Sequence, residues 1–409
     1  MQTTIQVPVK AASAHWYLQK AKEEIAIAES QQPGSLEKTV IWFLIKLKIF
    51  WLACVVLKNP KKIWNTFWSI IKLRNSLSGG DLKKMYRVNG KYYYNLYTPG
   101  WPSGSYDAFL KNELRRHADP LNIEEGLSFI FFAITRKCPM RCEHCFEWDN
   151  LNKKESFTKD DLFKVIDIYQ SQGVLQFHFS GGEPMVRVKD LIELIRHASK
   201  KSECWVVTSG FNFTKENAQL LKQAGCKGIV VSIDHYIPEH HNIFRGNNHA
   251  YEGAVNAVKE AKLAGMVTSL SVCATKNFID GGHILPYMNF AKSLGVNFVQ
   301  MLEPKDVGQY ANKDVLLAPR HIDELETIFK KINHSPEYKK YPTMLYHGYH
   351  QRRIGCFSGS RSVYVDSAGD VHACPFCHTK AYNIIDVIRK GNNKIPVKEN
   401  SCPRYEKIA

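Results

Sequence analysis

From residue 127 onward the chain alternates between short apolar runs and amphipathic stretches. The apolar runs fall at 127–134, 175–179, 204–208, 228–233, 268–274 and 297–301. Between them, apolar residues recur at helical spacing near 159–172, 189–199, 215–223, 252–264 and 283–294. One more such stretch follows the sixth run, near 320–333. A short apolar run between polar segments suits a strand buried on both faces, and a 3.6-residue period suits a helix with one buried face. Strand–helix alternation with short turns predicts an α/β fold with a parallel sheet and right-handed crossovers.

The first eighty residues follow a different pattern. Residues 12–30 read as a polar helix, stopped by Pro33-Gly34, with no basic segment ahead of an apolar core as in a secretory signal. Residues 39–57 are almost wholly apolar except for Lys46 and Lys48, and nineteen residues just span a bilayer. Two central lysines cost about 2.5–3.5 kcal/mol each on insertion scales, against about −0.3 to −0.6 for each Leu, Ile, Phe or Val. The sum is near zero. A second segment, 63–73, puts Ile63, Phe67, Ile70 and Ile71 on one helical face. Four of the eight tryptophans (Trp42, Trp51, Trp64 and Trp68) lie in these two segments. Residues 39–73 therefore suit a membrane surface; a spanning helix and a buried helical cap are the other readings.

Charge sharpens this picture. The net charge is +16, and residues 38–80 hold eight basic side chains and no acidic one. Such a block meets either nucleic acid or anionic lipid. The long apolar run beside it favours lipid, so no nucleic-acid partner is expected. A polar break at 76–80 ends the segment, and Asn89-Gly90 between two aromatic runs predicts a type I′ hairpin. The chain thus divides into a helical, membrane-associating extension (1–80), a hairpin and connecting segment (81–125), the alternating region (126–335) and a cysteine-rich end (336–409).

Candidate chemistry is concentrated in the cysteines. Seven of the eleven fall in two regions, and Cys54, Cys204, Cys226 and Cys273 lie in mostly apolar surroundings. Cys138, Cys142 and Cys145 stand at C-x3-C-x2-C directly after the first apolar run. Three soft thiolates select iron–sulfur or zinc over hard metals and leave one metal position open, which signals chemistry rather than a structural role. The second run leads into Ser180-Gly181-Gly182-Glu183-Pro184, the third ends Thr208-Ser209-Gly210, and the fourth ends Ser232-Ile233-Asp234, with His241 to Gly246 beyond. Cys356, Cys374, Cys377 and Cys402 form the second region, around a hairpin-like run turning at Gly369.

Together these stretches resemble the radical S-adenosylmethionine (radical SAM) superfamily over about residues 127–402. The resemblance implies a partial (βα)6 parallel barrel. It further implies a 4Fe–4S cluster on Cys138, Cys142 and Cys145 whose open iron chelates SAM. Gly181, Gly182 and Glu183 match the family's GGEP element, which receives the SAM amino group. Ser209 stands where the family has Asn in its T-N-G turn. Ser232 and Arg245 match residues that contact the SAM carboxylate or ribose, although Asn242 replaces the usual Asp in the same stretch. The C-terminal cysteines resemble a shortened SPASM/twitch extension, implying an auxiliary 4Fe–4S cluster on Cys356, Cys374, Cys377 and Cys402. A structural zinc on those four is the competing reading.

What the resemblance implies is an enzyme that reductively cleaves SAM to a 5′-deoxyadenosyl radical and abstracts hydrogen from an unactivated carbon. A protein electron donor such as flavodoxin or ferredoxin is the implied partner. No catalytic residue is assigned beyond the cluster. A peptide or protein side chain is the first substrate expectation, and a membrane lipid or isoprenoid the second. A zinc- or cluster-bearing interaction protein is the non-enzymatic alternative. The expected location is cytoplasmic and peripheral at the membrane.

Overall fold

Alternate side chains along each strand face opposite sides of a sheet, and here the two sides bury different things. The computed structural model describes residues 32–81, 84–119 and 127–391. The expected helix at 12–30 and Cys402 lie outside them. The strands are β1 (Tyr86–Val88), β2 (Lys91–Tyr93), β3 (Phe129–Ala133), β4 (Gln176–Ser180), β5 (Glu203–Thr208) and β6 (Cys226–Ser232). They continue with β7 (Val267–Cys273), β8 (Phe298–Leu302), β9 (Thr343–Tyr346), β10 (Ser362–Val365), β11 (Asp370–His372) and β12 (Tyr382–Asn383). All six expected strands are found as β3 to β8, and all six expected helices are found, each end within two residues of its expected position. Strong periodicity and side-chain caps explain the agreement. Thr158 and Asp161, for example, close a reciprocal capping box at the helix Lys159–Ser171.

β3 to β9 run parallel in sequence order, and β10 joins parallel to β3, followed by antiparallel β11 and β12. The outer faces (Ile130, Phe132, Phe177, Phe179, Cys204, Val206, Ile229 and Val231 among them) pack on the helices in one continuous core. The inner faces turn to a lumen. There Tyr97 touches Phe129 and Phe131 of β3, His178 of β4 and His347 beyond β9. One side chain reaching both ends of the parallel run means the sheet is curled into a partial barrel, and its terminal strands β9 and β12 leave it open.

The β1–β2 hairpin closes the end of the lumen. Tyr86 pairs with Tyr93 across an Asn89-Gly90 turn in which both residues have positive φ, the type I′ conformation expected from the dipeptide. Tyr86, Tyr93 and Leu96 then pack on the inward residues Trp205, Val230, Val267 and Phe298. Two features go beyond the sequence reading. β9 adds a seventh parallel strand after the sixth helix, and β10 carries the C-terminal region into the same sheet beside β3. Residues on both sides of position 336 thus share one sheet.

Three helices precede the barrel: α1 (Ser35–Leu57), α2 (Pro60–Ser78) and α3 (Gly104–Ala118). Asn59 caps α2, accepting from the Lys62 amide at 3.1 Å, and Pro60 occupies the first turn. Ile41, Ile45, Ile49, Leu52 and Ala53 of α1 pack with Ile70 of α2 and Tyr106, Leu110 and Leu114 of α3. α1 is long and apolar enough to cross a bilayer by length and composition. Yet it is apolar on both sides: Val40, Phe43, Leu44, Leu47, Phe50, Trp51 and Val55 face outward.

Candidate active site

The loop after β3 is tied down by backbone, carboxamide and carboxylate hydrogen bonds. Cys138 donates its amide to Asn152 Oδ1 at 3.1 Å, and Asn152 Nδ2 donates back to the Cys138 carbonyl at 3.2 Å. Glu155 accepts from Thr135 Oγ1 at 2.5 Å and from the Arg136 amide at 3.0 Å. Further on, the amides of Arg141 and Glu143 donate to the carbonyls of Arg245 and Phe244, both at 2.9 Å. The loop is therefore tied to the segment Pro238–Arg245 as well as to its own strand. Gly246, at φ +61°, lets this happen: a Cβ there would lie 2.8 Å from the Arg141 carbonyl.

The turn after β4 approaches the loop from the other side. The amides of Gly182 and Glu183 donate to the carbonyls of Thr135 and Lys137, both at 2.8 Å. A Cβ on Gly182 would meet the Lys137 carbonyl at 2.4 Å and Cys138 Cβ at 3.0 Å. The glycine is required by close approach of two backbones. Glu183 is fully buried and accepts from Thr208 Oγ1 (2.7 Å), the Ser209 amide (2.7 Å), Ser209 Oγ (2.6 Å) and the Met185 amide (3.1 Å). A carboxylate has about four acceptor positions, so this one is saturated by its own chain. Burial pushes Glu183 up from the usual carboxylate range, against the pull of the Ser209 and Thr208 hydrogen bonds. Glu183 thus braces the ends of β4 and β5, and taking a new donor means releasing one of the present four.

Arg245 is likewise engaged. Its guanidinium pairs with Asp234 Oδ2 at 2.5 Å and donates to Cys142 Sγ at 3.4 Å. Burial disfavours both charges of the pair, but each partner outweighs that cost and holds the other ionised: Asp234 lies below, and Arg245 above, its ordinary value. Asp234 Oδ1 also accepts from the Cys273 amide at 2.9 Å, and the Asp234 amide donates to His241 Nδ1 at 3.0 Å. Burial lowers His241 to about 3, so its ring is neutral at physiological pH. Asp234 and His241 were quoted in the sequence pattern but given no role there. A strand-end Asp followed by His and Arg at seven and eleven residues is the signal that pointed to them.

These elements meet at one cavity of about 490 Å³. Cys138, Cys142 and Cys145 line it, as do Gly181, Gly182, Glu183, Ser209, Ser232 and Arg245. Every residue expected to touch SAM or the first cluster is therefore brought to one place. The thiols sit in an apolar nest with Met140 and Ala250. Burial pushes Cys138 up to about 12 and raises Cys142 and Cys145 as well. Three bare thiolates are costly there, and a bound cation or cluster is what makes them affordable. The donor set fits soft iron or zinc.

The second cysteine region opens on the same cavity through Cys356 and Cys374, while Cys377, bridged to Cys374 through the backbone, is buried. The expected hairpin with its Gly369 turn is present as β10–β11. It is joined to the first loop by Glu147, which accepts from the hydroxyls of Tyr364 and of Ser367, the latter at 2.5 Å. Phe146 also lies between Tyr364 and Phe376, 5.7 Å from each ring. His372 pairs with Asp366 at 3.3 Å and His378 contacts the Pro375 carbonyl at 2.8 Å. Sequence reasoning missed Tyr97, Gln300 and His347, which line the cavity as a hydrogen-bonded set. Gln300 Nε2 lies 2.6 Å from Tyr97 Oη and 3.0 Å from His347 Nε2.

Comparison with known proteins agrees with this geometry. Residues 132–291 match the family model of the Radical SAM superfamily. The GTP 3′,8-cyclase of Aquifex aeolicus is 28% identical over 218 residues, covering 51% of this chain and 66% of that protein. The AdoMet-dependent heme synthase of Nitratidesulfovibrio vulgaris is 29% identical over 163 residues, covering 39% of this chain and 44% of that protein. The chain thus spans less than two thirds of either relative. In fold it is similar to Streptococcus suis SuiB bound to S-adenosylmethionine (TM-score 0.54, 14% identity, 71% of this chain and 72% of that one). It is also similar to native anSMEcpe with bound AdoMet (TM-score 0.51, 19% identity, 66% and 82%). The strand-end cysteine loop, the cavity it opens on and the matched family model lead to one conclusion: this chain carries a radical SAM superfamily domain.

Proposed function

We propose that this protein is a radical SAM enzyme that holds a 4Fe–4S cluster on Cys138, Cys142 and Cys145 and binds SAM against it. The observation that carries the reading is the convergence of three thiols, Cys142 buried and Cys138 and Cys145 half-buried, with Gly181, Gly182, Ser209, Ser232 and Arg245 on one cavity. Together, reduced cluster and SAM supply a 5′-deoxyadenosyl radical able to take hydrogen from an unactivated carbon. The chain's own residues position and shield. Gly182 permits the β4 turn to close on the cysteine loop. Glu183 fixes the ends of β4 and β5. Asp234 keeps Arg245 charged beside the Cys142 sulfur, where it favours the thiolate. The β1–β2 hairpin closes the lumen against water. The electron comes from a protein donor of the flavodoxin or ferredoxin type.

Cys356, Cys374, Cys377 and Cys402 hold an auxiliary cluster of SPASM/twitch type on this reading. The shared cavity and the Phe146 contact support it. The Ser232-Ile233-Asp234 to Gly246 stretch favours a peptide side chain as substrate, and a structure of the fold relative SuiB is bound to its precursor peptide SuiA. A second reading, a membrane lipid or isoprenoid, is favoured by a separate observation: Trp42, Ile45, Ile49, Ile70 and Ile71 of the N-terminal helices line the same cavity as the cysteines. Either substrate suits a cytoplasmic protein held peripherally at the membrane.

The test is an iron and sulfide count on the full chain after anaerobic reconstitution, with 5′-deoxyadenosine measured under chemical reduction. About eight irons per chain are expected for two four-iron clusters, with turnover of SAM. Stoichiometric zinc without iron would overturn the reading.

A further inference from the structure

The barrel helices and the N-terminal helices treat solvent differently. In the helix Val188–Ala198, Leu191, Ile192, Leu194, Ile195 and Ala198 are buried, and the intervening outward positions include Lys189, Glu193 and Arg196. α1 buries Ile41, Ile45, Ile49, Leu52 and Ala53 in the same way, but its outward side is also apolar. Phe43 is 60% exposed and Trp51 56%; on α2, Trp64 is 57% and Trp68 50% exposed. A contiguous patch of this kind marks an interaction surface.

Charge says what covers it. Lys58, Lys61, Lys62 and Lys72 are exposed around the patch, and residues 38–80 contain no acidic side chain. Each lysine near an anionic leaflet contributes about 1 kcal/mol, and tryptophan prefers the headgroup level. Aromatic and aliphatic side chains ringed by lysine suit an anionic bilayer surface. The helix lies on that surface and does not cross it, because α2 and α3 cover its other side. Spanning would strip Ile45, Ile49 and Leu52 from those partners.

The inner side has its own role. Ile45 and Ile49 of α1, with Ile70 and Ile71 of α2, form a wall of the cavity onto which Cys138 and Cys142 open. The element that faces the bilayer and the wall of the radical site are one hairpin, a helix thick. We propose that the α1–α2 hairpin lies flat on an anionic bilayer by its outer face, and that a hydrocarbon-chain lipid from that bilayer passes along its inner face into the cavity. The apolar wall receives the chain, while Tyr97, Gln300 and His347 offer hydrogen bonds to a polar group. Docking and entry stand on the hairpin; only the chemical fate of the chain rests on the radical SAM reading above.

The experiment uses the full-length, anaerobically reconstituted protein and vesicles of phosphatidylcholine containing phosphatidylglycerol with a mid-chain diazirine. Flotation with these vesicles, weaker binding to pure phosphatidylcholine, and photolabelling at Ile45, Ile49 or other cavity-wall residues are expected. The double variant Phe43→Glu/Trp51→Glu should bind about tenfold more weakly or worse. Its reductant-driven formation of 5′-deoxyadenosine should match the parent, showing that it is folded. No flotation, equal binding by the variant, labels confined to the outer face, or resistance to alkaline extraction each overturns the proposal. So does a homodimer, split by the same substitutions, in a protein that does not bind vesicles. Cavity labelling in protein that fails to cleave SAM supports entry while sinking the reaction reading.

Discussion

The two cysteine regions lie on neighbouring strands of one sheet but are built differently. The first is a loop pinned on both sides: Asn152 and Glu155 hold it from within, the Gly182 and Glu183 amides from β4, and Arg245 from beyond β6. The second hangs on the short strands β10 to β12, of which β10 pairs with β3, and its side-chain links to the first loop run through Glu147, Asn150 and Phe146. A site that must hold a metal with an open position gains from having its ligands oriented by a rigid surrounding shell. A region whose cysteines fill every position of their own cluster needs less bracing, because the cluster itself orders the chain. The difference in bracing is what the proposed roles call for: radical generation in the first region, support or electron transfer in the second.

Four substitutions break or sharpen that contrast. Cys142→Ala should have the largest effect, reducing 5′-deoxyadenosine to the level without enzyme while iron bound by the C-terminal cysteines persists. Retained SAM cleavage in that variant would falsify the ligand assignment. Cys377→Ala should do the reverse, lowering the iron content but leaving SAM cleavage measurable; loss of cleavage would show that the two regions are not separable. Asp234→Ala removes one partner of a buried ion pair and leaves Arg245 uncompensated, a loss of about 3–5 kcal/mol. Denaturant unfolding should read this as a lower midpoint, accompanied by weaker SAM binding by equilibrium dialysis. A midpoint unchanged from the parent would mean that Arg245 finds another partner. Glu147→Gln should be mildest, about 1–3 kcal/mol, because the amide nitrogen that replaces one carboxylate oxygen no longer accepts from the Tyr364 or the Ser367 hydroxyl. It should loosen the C-terminal hairpin first, seen as faster amide exchange in β10 and β11 than in the cysteine loop. Equal acceleration in both would erase the proposed difference.

Much of this was legible beforehand because it is local. The hydrophobic periods of 127–333 gave the strands and helices, Asn89-Gly90 gave the hairpin, and C-x3-C-x2-C with the Gly-Gly-Glu turn gave the place of the site. The functions of individual polar side chains were less legible. Glu183 and Arg245 read as ligands because their types suit an ammonium and a carboxylate. In the fold, both are already committed, to Ser209 and Thr208 in one case and to Asp234 and Cys142 in the other. Sequence spacing does not say which buried donor will reach a given acceptor, since those partners lie on different strands.

By itself, then, the sequence determined the repeating strand–helix order, the cysteine loop at a strand end and the basic, tryptophan-rich character of the first helices. Each follows from short-range periodicity or side-chain chemistry. Only the tertiary structure decided that β10 brings the C-terminal cysteines beside β3, and that the inner face of α1 and α2 walls the cavity they share. Those outcomes depend on contacts between residues hundreds of positions apart. They were fixed by the curl of the sheet and the packing of helices against its opening, which no local pattern encodes.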